Sequence, residues 1–90
     1  MYLVIYDISN DKLRTQFSKF LTQYGRRIQY SVFEIKNSER LLKNIRSEIK
    51  GNFEKKFHQG DSVIMINVPD NAITDRFGYA KNEESDLLFF

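Results

Sequence analysis

Asp7 is the residue of this 90-residue chain whose type and position most invite chemistry. It follows Tyr2, Leu3, Val4, Ile5 and Tyr6, an apolar, β-branched and aromatic run that reads as a strand buried on both faces and central in its sheet. An ionised carboxylate loses its hydration in such surroundings, so Asp7 belongs at a sheet edge, bound to something. Two readings are open. Asp7 joins Ser9 and Asn10 in a turn that caps the next helix, or it serves a metal ion or a reaction. Other chemistries lack parts. His58 is the one histidine and cysteine is absent, so metal clusters and Ser-His-Asp arrangements are under-supplied. Gly25, Gly51, Gly60 and Gly78 form no phosphate-cradling loop, and Glu83 and Glu84 read as a solvated loop. What survives is one carboxylate at a strand end with basic residues around it.

Those residues need elements to position them. Ser9 or Asn10 caps a helix over residues 11–24, whose apolar residues Leu13, Phe17, Phe20, Leu21 and Tyr24 form one stripe of the kind that packs on a sheet. Gly25 follows as the expected left-handed stop. Arg14 falls at the stripe border beside Leu21, while Lys12 and Lys19 share the other border. Residues 26–36 are a strand region with a change of phase. Ile28, Tyr30 and Val32 share one parity, Phe33 and Ile35 the other, which requires a bulge or a very tight hairpin near residues 31–33. Asn37 and Ser38 cap a second helix over residues 39–50, with Leu41, Leu42, Ile45 and Ile49 inward and Gly51 as its stop. Residues 52–60 read as a basic loop or a helix extension. Residues 63–68 make another strand, ended by a Pro69–Asp70–Asn71–Ala72 turn, and residues 73–80 a further one. Leu87, Leu88, Phe89 and Phe90 make an aromatic end that has nothing left in the domain to bury it. They are expected to pair as a strand with a partner. The order implies an α+β, ferredoxin-like split βαβ domain over residues 1–80, antiparallel in its sheet and with both helices on one face. Residues 81–90 form a tail with an extra C-terminal strand.

Ninety residues bury little more than roughly 60% of their unfolded surface, so the domain is marginal alone and a homodimer is the expected support. Net charge is +2, unevenly placed. Residues 11–60 hold twelve Lys/Arg against five Asp/Glu, and residues 61–90 hold two against six. A basic half suggests an anionic partner such as nucleic acid; the alternative is two ordinary solvated faces. The N-terminal apolar run is short and lacks a basic flank, so neither a signal peptide nor a membrane span is expected, and the reading is cytoplasmic.

Tyr6–Asp7–Ile8, Leu13–Arg14, Phe20–Leu21, Gly25, residues 27–34 (RIQYSVFE) and Asp61–Ser62–Val63 resemble, in order and spacing, the small CRISPR-associated adaptation family, CRISPR-associated protein two. Residues 27–34 are the most specific piece. The resemblance implies a ferredoxin-like homodimer in which Asp7 meets its symmetry mate across the interface. Facing carboxylates repel unless a proton or cation lies between them, and such a hard oxygen site suits Mg²⁺. By the same resemblance Asp7 is metal ligand and catalytic residue, and Arg14, Arg27 and Ser31 contact nucleic acid. Lys12, Lys19 and Arg26 join them from charge placement, as phosphate contacts without base readout. Phe33 reads as a packing or dimer residue. Gln16 stands where some relatives carry a second arginine, which weakens the nuclease carry-over more than the scaffold one.

Three functions follow. The first is a component of the CRISPR spacer-acquisition complex, binding duplex DNA and bridging integrase dimers, with Mg²⁺-dependent endonuclease activity in some members. There residues 87–90 bind the integrase subunit. The second is an active endoribonuclease of toxin type, cutting single-stranded RNA. The third is a ferredoxin-like RNA-binding or regulatory module, which would display exposed aromatics such as Tyr2, Tyr6 or Tyr30.

Overall fold

Two periodicities in the sequence build the chain, and one local exception interrupts each. The structure, a computed structural model, describes residues 1–78. Its elements are β1 (Tyr2–Asp7), α1 (Asp11–Thr22), β2 (Gly25–Gln29), β3 (Val32–Ile35), α2 (Glu39–Glu48) and β4 (Ser62–Asn67). The strands lie in the order β2-β3-β1-β4 with every neighbour antiparallel. This is the ferredoxin-like α+β arrangement expected from the sequence.

β1 is central, but only one of its faces is sealed. Val4 and Tyr6 are buried with Leu13, Phe17, Leu21, Phe33, Ile35, Leu42 and Ile45 in the core under the helices. Leu3 and Ile5 are half-covered, because both helices pack on the other side. The expectation of a strand buried on both faces is corrected accordingly. The core is rich in rings. Phe17 meets Tyr6 and Phe53 edge-on, each at 5.0 Å between centroids, geometry that aromatic quadrupoles favour.

Asn10, not Ser9, caps α1: its Oδ1 accepts from Leu13 N–H at 2.8 Å. Ser38 caps α2 through Oγ, from Leu41 N–H at 3.4 Å. Neither expected glycine stop holds. Among the described residues only Gly60 and Gly78 have positive φ. Gly25 instead opens β2, and past Gly51 the chain stays helical, first as a π-helical turn (Ile49–Phe53) and then as a 3₁₀ turn (Glu54–Lys56). The physical reason is Phe53. The wider turn carries its ring into the core, where it is buried, and π turns of this kind occur as single insertions in α-helices.

The phase change expected near residues 31–33 comes from the tight hairpin; a bulge is also present, but earlier, at Ile28. A two-residue turn, Tyr30–Ser31, joins β2 to β3, and a register shift between Arg27 and Gln29 leaves Ile28 as a bulge. Residues 73–78 form no strand. Ile73 and Phe77 are almost wholly exposed, so this segment does not bury the side chains a further strand would pack on the sheet. The rest of that expected strand and the tail with Leu87, Leu88, Phe89 and Phe90 lie outside the described residues. Among the described residues no helix is long and apolar enough to cross a membrane.

Candidate nucleic-acid interface

Asp7 ends β1, opposite Ser62 of β4, and is exposed. It shares parity with Leu3 and Ile5, so it lies on the open face of the sheet. It does not join the capping turn: Asn10 caps α1 alone. The neighbouring carboxylate, Asp61, is already engaged. Its Oδ1 accepts from Ser9 N–H at 3.0 Å and from the Ser9 hydroxyl at 3.1 Å, and its Oδ2 accepts from His58 N–H at 2.8 Å. Those backbone donors, His58 first and Ser9 next, hold its pKa below the ordinary carboxylate value. Among the described residues no three acidic, histidine or cysteine side chains gather to hold a metal. Asp7 therefore offers one hard oxygen ligand per chain. That fits Mg²⁺ only where a second carboxylate, phosphate oxygens and water complete the octahedron.

The arginines carried over from the resemblance lie on the other side of the sheet. Arg27 follows the parity of Phe33, its partner in β3, and its guanidinium rests 5.2 Å from the Phe33 ring. Its Nη1 donates to the Tyr30 carbonyl at 2.9 Å and its Nη2 to the Ser18 hydroxyl. Arg14 donates through Nη1 to the Ile8 carbonyl at 2.9 Å and through Nη2 to the Asp11 carboxylate. That hydrogen bond is the main reason its pKa is raised. Between the two arginines is a cavity of about 130 Å³ lined by Tyr6, Arg14, Thr15, Ser18, Arg27 and Tyr30. Burial pushes the Tyr6 phenol up, against the opposing effects of its hydrogen bond to Ser18 and the charge of Arg27.

The remaining predicted residues are scattered around these two centres. Lys12 and Lys19 are exposed on α1, two helical turns apart. Arg26 lies on the open face, its Nε 3.6 Å from Glu34 Oε1. Ser31 sits in the hairpin turn, where its carbonyl accepts from Tyr6 N–H at 3.1 Å. The structure thus brings Arg14 and Arg27 together beside Tyr6 and Ile8, while the parity of Asp7 in β1 assigns it to the opposite face of the sheet. Sequence reasoning missed Ser18, Thr15 and Asp61. Ser18 was detectable as a small polar residue four positions from Arg14 and next to Phe17 on the inward stripe. Asp61 was not, because its Ser9 donors come from a loop more than fifty residues away and only His58 N–H is local.

Comparison with known proteins bears on all of this. The family model described as CRISPR associated protein Cas2 matches residues 1–76. CRISPR-associated endoribonuclease Cas2 of Thermus thermophilus is 35% identical over 83 residues, covering 88% of this chain and 84% of that protein. CRISPR-associated endonuclease Cas2 2 of the same species is 46% identical over 46 residues, covering 51% of each. The matched stretch thus spans about half the length of that second relative. Among solved structures, a hypothetical protein from Thermus thermophilus superposes with a TM-score of 0.75 at 30% identity, over 89% of this chain and 92% of that one. A crystal structure of Cas2 gives 0.73 at 27% identity, over 89% and 87%. With the motif, the strand order and these matches in agreement, the chain belongs to the CRISPR associated protein Cas2 family.

Proposed function

We propose that the chain works in the cytoplasm as a homodimer that binds duplex DNA and bridges CRISPR integrase subunits during spacer acquisition, with Asp7 holding Mg²⁺ for endonuclease chemistry. The observation that carries this reading is the open sheet face. Leu3 and Ile5 of β1 pair with Ile66 and Ile64 of β4, and those isoleucines are 44% and 52% exposed. A contiguous apolar sheet face that no helix covers among the described residues is a surface for another polypeptide, and a second copy seated on it would bring two Asp7 residues near one another. Mg²⁺ held there would polarise a phosphodiester oxygen and activate water. The chain's own residues do the rest. Asp7 fixes the site at a strand end, and Lys12, Lys19 and Arg26 offer exposed charge to phosphates. In this reading Leu87, Leu88, Phe89 and Phe90 engage the integrase. A second reading, cleavage of single-stranded RNA as in toxin-type enzymes, is favoured by the relatives named endoribonucleases.

Asp7→Asn is the test. With labelled duplex DNA and labelled single-stranded RNA, Mg²⁺-dependent cleavage is expected to fall by more than about tenfold, while duplex affinity at fixed salt is unchanged. Loss of duplex binding in Asp7→Asn would overturn the separation of metal and phosphate roles. Cleavage confined to RNA would favour the second reading.

A further inference from the structure

Tyr30 stands at the tip of the β2–β3 hairpin with 67% of its surface exposed, yet its backbone is tied. Arg27 Nη1 holds its carbonyl at 2.9 Å, and the Tyr30 side chain lines one cavity with Arg14 and Arg27. Each arginine is itself anchored, Arg27 on Ser18 and Phe33, Arg14 on the Ile8 carbonyl and Asp11. The ring borders the cavity while most of its surface stays open to solvent. A hairpin tip tied in advance loses little backbone entropy when something flat settles on its ring.

The cavity beside the ring defines the rest of the ligand. At about 130 Å³ it holds about four waters' worth of volume, well short of the roughly 300 Å³ at which ligand pockets begin. No base or sugar enters it. Its walls are two guanidinium groups and four hydroxyls, a set that accommodates oxygen-rich anions. The carboxylate bonded at its rim, Asp11, is 90% exposed in its side chain, so a phosphoryl group displaces it from Arg14 at little cost.

We infer that Tyr30 is a stacking platform for one unpaired base, whose phosphoryl group is received by the Arg14–Arg27 cavity beside it. This rests on the nucleic-acid reading above and narrows it. Bases inside a duplex are already stacked on one another, so the site takes a nucleotide from a single-stranded overhang or a free single strand. It lies across the sheet from Asp7, so an overhang is recognised by groups other than the metal site.

The experiment compares a blunt DNA duplex, the same duplex with a short overhang, and the overhang strand alone, by fluorescence anisotropy at fixed salt. A 2-aminopurine in the overhang reports stacking directly. The wild-type protein is expected to prefer the overhang duplex to the blunt one and to quench the 2-aminopurine. Tyr30→Leu loses about tenfold in overhang affinity, the scale of one base–aromatic stack, loses the quench, and leaves blunt-duplex affinity and sedimentation unchanged. Tyr30→Phe keeps the quench, because the ring remains. Comparable gains for the overhang duplex and the free strand identify an unpaired nucleotide from either source as the ligand. Equal wild-type affinity for blunt and overhang duplexes, or an equal loss on both in Tyr30→Leu, overturns the platform alone. A changed sedimentation coefficient in Tyr30→Leu overturns it in favour of a contact between copies. Failure of the wild type to bind any of the three at low salt overturns the nucleic-acid reading, and the platform with it.

Discussion

Asp61 ties three segments with one carboxylate: the loop after β1 through Ser9, the turn at His58 and the start of β4. It keeps Ser9, and with it the chain just beyond Asp7, in place. The sign of its pH dependence follows from its lowered pKa. Stability from these bonds is present above the ordinary value of 3.8 and is lost as pH falls through the lower folded value, where the carboxyl protonates. Asp61→Asn removes one acceptor oxygen and the charge at every pH. Wild type is therefore expected to exceed the variant in denaturant midpoint at neutral pH, with the gap closing as pH falls below the ordinary carboxylate value and through the lower folded one; a gap constant with pH would mean that the charge is not what holds the loop. In the sequence Asp61 stood out only as part of a family motif at the start of a strand. Asp7 was legible because its oddity is local, a charge against an apolar run, whereas the role of Asp61 depends on residues brought to it by the fold.

At the scale of elements, the periodic parts and the phase break near residues 31–33 were readable, and the roles of the glycines were not. The α1 stripe Leu13, Phe17, Phe20 and Leu21 is buried as its spacing requires, and both helix starts fall at their capping residues. The glycines were misread because a stop and a close approach look alike in sequence. At Gly25 a Cβ would stand 2.0 Å from the Glu34 carbonyl oxygen and 2.8 Å from Ile35 Cδ1, so this glycine lets β2 lie against β3. Gly25→Ala is expected to destabilise the fold by about 1–3 kcal/mol, read by urea denaturation. A neutral result would mean that β2 moves freely on β3. At Gly51, by contrast, an added Cβ meets nothing within 4 Å. The helix runs through it because Phe53 has a place in the core, a tertiary reason that no local signal carries.

At the scale of the molecule, one face of the sheet is closed by helices and, among the described residues, the other is not. Ile64 sits on the open face, half-exposed and paired with Ile5, so a charge there spares the protomer's core while opposing burial against a second copy. Ile64→Asp is expected to turn a dimer into a monomer in sedimentation velocity with its far-ultraviolet circular dichroism unchanged; a variant that stays dimeric would place the contact elsewhere. The strand order carries a further consequence, for the time course of folding. β1 is made first, but one of its two neighbours, β4, is the last described strand to be made. The register pair Asp7–Ser62 closes a long loop, and such closures must be completed before their contacts repay the lost chain entropy. During synthesis the most apolar strand of the domain therefore waits with one edge bare, open to pairing with another nascent chain, until nearly the whole domain has left the ribosome.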